Sequence, residues 1–225
     1  MDQGVRPVDY LIIVKRIAVS AVVAAAVLGV AGMALSAEFS ADIQQTADGK
    51  VTMKGKIYVK GVMERTEYAA PEGKIVVIKR PDKGLTWLLS PHHKMCSEVQ
   101  VGNPRPKIVS SVKAILEIMP NHKKVGSVKI AGYMCDKYTY DIGSKCSGIV
   151  YISSKLQHEL KRDDQRMLGR VGYFLSNIKE IKQPNSLFSV PTGYKKTIMP
   201  PIPKKLSMPA NEGIMEKLRR FIFNK

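Results

Sequence analysis

From residue 39 onward, short runs of alternating polar and apolar residues are separated by tight turn signals, and this pattern constrains the fold most strongly. Three of the turn signals contain proline, at residues 70–73, 81–84 and 90–93. Runs this short, joined by turns this tight, are typical of an antiparallel meander. No crossover helix separates the runs, which excludes a parallel doubly wound sheet. The runs lie at residues 39–46, 51–59, 65–68, 74–79, 86–89 and 95–101.

One amphipathic helix interrupts the meander. Residues 107–119 carry apolar side chains at helical spacing, and Pro120 ends the segment. Residues 156–170 could also form a helix, but the alternation of their apolar and polar side chains favours a strand. A turn is expected at residues 163–165. The sequence therefore predicts a mainly β (α+β) fold whose later strand-like runs lie at 127–142, 147–152, 156–162 and 166–181.

The first 37 residues differ from the rest of the chain. A leading segment ends in Lys15 and Arg16, and an uncharged apolar run follows over residues 17–37, closed by small residues. These are the three parts of a secretory signal, so we expect a signal peptide over residues 1–37, cleaved near Ala37, and a periplasmic or secreted product. The alternative is an uncleaved inner-membrane anchor, because about 20 apolar residues can span a bilayer. The many Ala and Gly residues, which insert weakly, favour cleavage.

The chain is strongly basic, with a formal net charge of +17. Its cations are spread along the whole chain, without an arginine-rich arm or zinc-finger spacing, which argues against a nucleic-acid partner. For an exported protein the expected anions are lipid head groups, an anionic membrane surface or other acidic envelope polymers. A general bias towards solubility explains the same charge.

Three cysteines, Cys96, Cys135 and Cys146, follow the apolar run. Cys135 and Cys146 flank a segment that is predicted to end one strand, turn at Gly143 and begin the next strand. A hairpin brings such residues close together and export implies an oxidising compartment, so we expect a Cys135–Cys146 disulfide. A one-residue slip in register would instead point the two side chains to opposite faces. Cys96 is then either buried as a small hydrophobic residue or free for an intermolecular bridge.

Residue types that serve in catalytic and metal sites occur here without the spacing that such sites need. His92 and His93 are adjacent, so on a strand they would point to opposite sides and could not face one metal ion. Ser110 and Ser111 lack the context of a nucleophile elbow. No Cys-x-x-Cys motif is present. The sequence predicts no catalytic residue, no metal, no cofactor and no enzymatic activity.

The C-terminal segment, residues 200–225, is predicted to form a separate unit. Its prolines and lysines make an extended basic linker, and Asn211 is a suitable N-cap for a helix over residues 212–223. A basic amphipathic helix can lie in an anionic membrane interface. It can equally pack on its own sheet or on another envelope protein. The residues expected to make these contacts are Ile214, Leu218, Arg219, Phe221 and Ile222.

Three stretches of the chain carry a resemblance to a known family. The first runs from residue 56 to Pro91 and includes Trp87, the second is residues 128–138, and the third is residues 187–195. In this order they resemble a (DUF4412-like) family of periplasmic domains of unknown function, related to the lipoprotein-carrier fold of LolA and LolB. The resemblance places a LolA/LolB-like domain at residues 38–199. Cys96 stands where that family has an aromatic residue, and the tail has no counterpart.

The resemblance implies a strongly curved antiparallel sheet, or half-barrel, that closes over one or more helices and has a hydrophobic concave face for acyl chains. One predicted function is a non-enzymatic carrier or chaperone that binds a lipid or lipoprotein acyl chain. The other is a structural or interaction protein with a filled core, acting through its basic surface and C-terminal helix. Candidates for the ligand face, which could equally be ordinary core, are Ile57, Val59, Trp87, Leu89, Tyr133 and Phe174.

Overall fold

The structure is a computed structural model that describes residues 37–70, 73–104, 111–117, 119–143, 146–167 and 169–199. Residues 1–36, which hold nearly all of the predicted signal peptide, lie outside the described residues. The predicted linker and helix at 200–225 also lie outside them, with Ile214, Leu218, Arg219, Phe221 and Ile222.

Twelve strands form one open, curved sheet, which confirms the predicted mainly β class. The strands are β1 Glu38–Ala47, β2 Lys50–Lys60, β3 Met63–Ala70, β4 Gly73–Arg80, β5 Leu85–Ser90, β6 Met95–Gln100, β7 Lys123–Ile130, β8 Tyr133–Asp141, β9 Cys146–Ser153, β10 His158–Arg166, β11 Gly169–Lys179 and β12 Lys195–Met199. Their order across the sheet is β12-β6-β5-β4-β3-β2-β1-β11-β10-β9-β8-β7. Neighbours pair antiparallel, except that β12 runs parallel to β6 at one edge.

Alternating burial explains why these segments form strands. In β1, Phe39, Ala41 and Ile43 are buried, and the residues between them are half-buried. A period of two is the pattern of a strand that turns one face to a core. Across the β1–β2 ladder, Ala41 lies opposite Ile57 and Phe39 lies opposite Val59, so these side chains share one face. Full burial of each large apolar side chain contributes about 1.5–3 kcal/mol.

The helix α1 (Ser111–Glu117) packs against the face of the sheet that carries these buried side chains. The ladders between β9, β10, β11 and β1 place Val150 on the same face of the sheet as Ile43. We call this face the helix-side face. The predicted helix at 107–119 is confirmed over residues 111–117. Its side chains Val112, Ile115 and Leu116 pack on a buried cluster made by Met119, Tyr140, Cys146, Val150 and Ile152.

Residues 184–194, which we call the strap, cover the opposite face of β4 to β6. We call this opposite face of the sheet the strap-side face. Within the strap, Phe188 is fully buried. Arg65 Nη1 donates to the carbonyl oxygen of Leu187 over 3.1 Å, and Arg80 Nη1 donates to that of Phe188 over 2.8 Å. These two bonds fix the strap over the sheet. Short 3₁₀ turns occur at Pro81–Lys83 and, within the strap, at Asn185–Phe188.

Two predicted turns are displaced in the structure. The run at 127–142 is two strands, β7 and β8, because the chain reverses at Ala131 and Gly132, both with positive φ. The prediction of a turn at residues 163–165 is wrong, because Asp163 and Asp164 lie inside β10. The chain reverses instead near Met167. Asp is a residue type common in turns, but the side chain of Asp164 is buried and pairs with Arg166 within the sheet.

The predicted Cys135–Cys146 disulfide is wrong, because Cys96, Cys135 and Cys146 are all free and buried. The predicted hairpin exists, but its register separates the pair. Cys135 lies opposite Ser153, whereas Cys146 is at the other end of β9, where the Ile142 amide donates to its carbonyl oxygen. Seven residues of strand span about 23 Å, whereas bridged cysteines need Cα atoms within about 7 Å. Of the two alternatives for Cys96, burial as a small hydrophobic residue is the one observed.

The described part of the chain contains no helix with the length and apolarity needed to span a bilayer. Among the same residues, no group of three or more His, Cys, Asp or Glu side chains is arranged to hold a metal ion.

Candidate ligand site

A cavity of about 500 Å³ lies between α1 and the end of the sheet formed by β8 and β9. Val112 and Leu116 line it from the helix, and Tyr138 and Ile152 line it from the sheet. The turn between β9 and β10 contributes Ser154 and Gln157 to the lining. Its volume falls within the ~300–1,000 Å³ that is usual for small-molecule sites.

The sequence builds both walls of this cavity through its two periodicities. On α1, Val112 and Leu116 are four residues apart, so they lie on one face of the helix. On the sheet, Ile152 lies opposite Asp136 across the β8–β9 ladder, and Tyr138 is two residues further along β8. All three point to the helix-side face because side chains alternate along a strand.

Polar side chains at the cavity are mostly held by partners of their own. Asp136 accepts hydrogen bonds from Lys124 Nζ and from Ser127 Oγ, each over 2.8 Å. The hydrogen bond from Lys124, and to a smaller extent the one from Ser127, holds the pKa of Asp136 below its usual value. The carboxylate therefore stays ionised, and Lys124 compensates its charge. His122 Nδ1 lies 2.8 Å from the carbonyl oxygen of Met119, which places a proton on that nitrogen.

The six residues predicted to form one ligand face do not share a face. Ile57 and Val59 lie in the buried core of the helix-side face. Trp87 and Leu89 lie on the strap-side face, packed under Phe188. All four side chains are buried, and their predicted role in a ligand face stays a prediction.

Phe174 also lies on the strap-side face, because it is opposite Gln44 on β1. Tyr133 instead packs against the buried cluster that contains Ile57 and Val59. Both aromatic side chains are half-buried. Neither they nor the other four candidates line the cavity. The helical spacing of Val112 and Leu116 was visible in the sequence, but the strands that face them were not.

Charged groups on the helix-side face are buried in compensated pairs. Glu159, almost fully buried, receives two hydrogen bonds from the Arg162 guanidinium, over 2.5 and 2.6 Å. The Arg162 guanidinium also lies 5.8 Å from the centre of the Tyr140 ring. Glu64 pairs with Lys79 at 2.8 Å. Because each carboxylate has a cation at hydrogen-bond distance, these groups hold the sheet together and leave little charge for a ligand.

His158, at the start of β10, has both apolar and charged neighbours. Its ring packs edge-on against Phe39, with 5.3 Å between the ring centres. Burial lowers the pKa of His158 below its usual value of 6.5; Glu64 and Glu159 oppose this effect and Lys79 reinforces it. Burial tends to raise the pKa of Glu64, but the attraction of Lys79 and His158, together with the hydrogen bonds from Lys79 and Thr66, outweighs it and the net pKa is lowered.

The stability of the fold is therefore expected to fall as the pH drops below about 6.5. His158 takes up a proton more readily in the unfolded chain, so its contribution is complete above pH 6.5 and is lost as the pH falls through its lowered pKa. Glu64 adds a second loss, because its contribution is complete above its usual pKa of 4.5 and is lost as the pH falls through its lowered pKa. Thermal unfolding midpoints across this pH range measure the effect.

A pair of histidine variants separates this effect from general acid denaturation. The variant His158→Gln should show a smaller decline just below pH 6.5, whereas the exposed His93→Gln should keep the decline of the wild type. The assignment to His158 is contradicted if both variants decline equally.

The fold and the cavity define a class of protein with one open curved sheet. A helix packs on one face of the sheet, and a cavity lies between the helix and the sheet. A solved structure of similar architecture is an uncharacterized conserved protein from Thermus thermophilus, at a TM-score of 0.51. It is 12% identical, and the match covers 73% of this chain and 92% of that one. At this identity the likeness shows the fold alone.

Two further solved structures match with lower scores. The lipoprotein LppX from Mycobacterium tuberculosis is 14% identical, with a TM-score of 0.38, and the match covers 67% of this chain and 90% of that one. A LolA superfamily protein from Nitrosomonas europaea is 10% identical, with a TM-score of 0.31 and coverages of 68% and 90%. No family model and no curated protein matches the sequence. Membership of the family that the sequence resembles therefore stays a prediction.

Proposed function

We propose that this protein binds a hydrophobic ligand, the acyl chain of a lipid or lipoprotein, and carries it unchanged within the bacterial envelope. The observation that carries the proposal is the cavity of about 500 Å³ between α1 and the β8–β9 end of the sheet. The sequence resemblance to LolA/LolB-like carriers supports the ligand class. The secretory signal predicted over residues 1–37 supports an exported, periplasmic location.

The walls of the cavity suit an apolar chain. Val112 and Leu116 on the helix face Tyr138 and Ile152 on the sheet, so a bound chain would contact apolar surface on both sides. Removing an apolar chain from water is favourable by about 25 cal/mol for each Å² buried. The polar groups around this surface fix the orientation of a ligand rather than supply most of its affinity.

The helix that forms one wall is short enough to adjust to a ligand. α1 has seven residues, and isolated helices shorter than about 12–15 residues are marginal in water. Its position therefore depends on the contacts of Val112, Ile115 and Leu116 with the sheet. A chain that enters between helix and sheet replaces some of these contacts with its own, so binding need not disturb the rest of the sheet.

Filling the cavity should abolish binding. In the variant Val112→Trp, the indole would occupy the space between helix and sheet, and we expect affinity for a pyrene-labelled long-chain alcohol to fall by at least about tenfold. Fluorescence titration of delipidated protein measures the affinity. The matched control is Val128→Trp, since Val128 is exposed on β7 and does not line the cavity.

Native mass spectrometry of the mature protein, taken from a periplasmic extract without detergent, provides a second measurement. The proposal expects an added mass that organic solvent releases. If the wild type binds no probe, or if folded Val112→Trp binds as well as the wild type, the proposal is wrong. That result would favour the alternative, an interaction protein with a filled core that acts through its basic surface and C-terminal segment.

A further inference from the structure

Among the charged side chains that line the cavity, Lys113 is the one that has no ion-pair partner within the part of the chain that the structure describes. Asp136 is paired with Lys124, and Glu117 has a partner of its own. Within the described residues, no carboxylate lies at ion-pair distance from Lys113 Nζ. The Lys113 ammonium group is therefore available to an acidic group of a ligand in the cavity.

His122 lines the same cavity. Its Nδ1–H donates to the carbonyl oxygen of Met119, so Nε2 of the neutral ring can accept a hydrogen bond from a ligand but cannot donate one. The ring lies edge-on to Tyr138, with 6.2 Å between the ring centres. The apolar wall and the two nitrogen-bearing side chains therefore belong to one site.

We propose that the ligand of this cavity is an anionic amphiphile, with its acyl chain against Val112, Leu116 and Ile152 and its carboxylate or phosphate group bound by Lys113. This inference rests on the proposed function, because it names the ligand class of the same cavity. Lys113 is a flexible point charge with three donors, so it can serve either a carboxylate or a phosphate. A neutral chain would leave its charge without a counter-ion, and a cationic chain would be repelled.

Four amphiphiles whose chains each contain sixteen carbon atoms test the charge preference. Hexadecanol, palmitate, hexadecyl phosphate and hexadecyltrimethylammonium are used to displace the pyrene-labelled alcohol from delipidated full-length protein. We expect the two anions to bind at least about tenfold more tightly than hexadecanol, and the ammonium compound to bind more weakly. Comparison of palmitate with hexadecyl phosphate then identifies the head group. Added salt should weaken the anions and leave hexadecanol nearly unchanged.

Variants of Lys113 assign the effect. Lys113→Met should lower the affinity for palmitate to that for hexadecanol, and Lys113→Arg should retain the preference. Lys123→Met, which changes an exposed lysine outside the cavity lining, is the matched control and should keep the preference of the wild type.

The outcomes separate this inference from the proposed function. If hexadecanol and the anions bind wild type equally, or if Lys113→Met keeps the preference for anions, the anionic ligand is ruled out and the hydrophobic carrier stands. If none of the four amphiphiles displaces the probe, and the probe itself does not bind, both are wrong.

Discussion

Replacing Asp164 with Ala is expected to lower the free energy of unfolding by about 3–5 kcal/mol, the usual cost of removing one partner from a buried ion pair. Asp164 lies on the helix-side face of β10 and is 1% exposed. It accepts a hydrogen bond from the Tyr140 hydroxyl group and pairs with Arg166 Nη2 at 3.0 Å. Removing the carboxylate takes away the partner of that hydroxyl group and the counter-ion of a largely buried guanidinium.

The neighbouring Asp163 provides a matched control. Asp163 also pairs with a cation, Lys161, at 2.9 Å, but on the opposite face of the strand and with both side chains well exposed. Exposed pairs contribute about 0–1 kcal/mol, so Asp163→Ala should be nearly neutral. Urea unfolding of both variants, with the midpoint and the slope recorded separately, measures the difference. Equal midpoints for Asp163→Ala and Asp164→Ala would contradict the structural role given to Asp164.

The backbone next to this pair supports the same conclusion. A Cβ atom added at Gly148 would lie 2.8 Å from Asp164 Oδ1 and 2.9 Å from the Tyr140 hydroxyl oxygen. The carboxylate and the phenol are therefore packed directly against the backbone of β9. Asp164→Ala removes this packing as well as the hydrogen bond and the ion pair.

Replacing Phe188 with Ala is the second substitution with a large expected effect. Phe188 is fully buried and is the main apolar contact of the strap with the cluster that contains Val76, Ile78 and Trp87. Truncating a buried Phe costs about 3–5 kcal/mol, partly through the cavity left behind. The loss should also loosen the strap, because the bonds from Arg65 and Arg80 reach its backbone only at residues 187 and 188.

Trp87 reports on this change directly, because it is the only Trp in the chain. It is 6% exposed under the strap, so its emission should shift to longer wavelength in Phe188→Ala as water gains access. The matched control is Phe174→Ala, because Phe174 is half-buried on the same face, outside the buried clusters. An unshifted emission spectrum in Phe188→Ala, or equal destabilisation by both variants, would show that the strap does not shield Trp87.

Most strands could be predicted from the sequence, because alternation and turn residues are local signals. β1 and β4 end within two residues of the positions that their patterns indicated. The prediction failed where residue type and environment disagree. Asp163 and Asp164 are typical turn residues, yet Asp164 is held inside β10 by Arg166, and this partner is visible only in the fold.

The ligand face could not be predicted, for a reason of register. Alternation tells which residues of one strand point the same way, but it does not tell whether Ile57 on β2 and Trp87 on β5 share a face. That depends on the three ladders between them. The same argument explains why the disulfide prediction is wrong. The hairpin that contains the two cysteines exists, but its register places Cys135 opposite Ser153. The lining residues Val112 and Ile152 required the packing of a helix on a distant strand.

The strap covers one end of the sheet only, so the two ends differ in how many faces of their strands are buried. Strands β4 to β6 are buried on both faces, with Trp87 and Leu89 on one and Leu88 and Val99 on the other. At the far end, β7 is exposed from Lys123 to Lys129, and within the described residues its neighbours are covered by a short helix. Close-packed interiors resist deformation, whereas thinly covered strands open at lower free energy. The ligand proposed above would enter and leave by local opening of the thinly covered strands, while the strands covered on both faces keep the shape of the sheet.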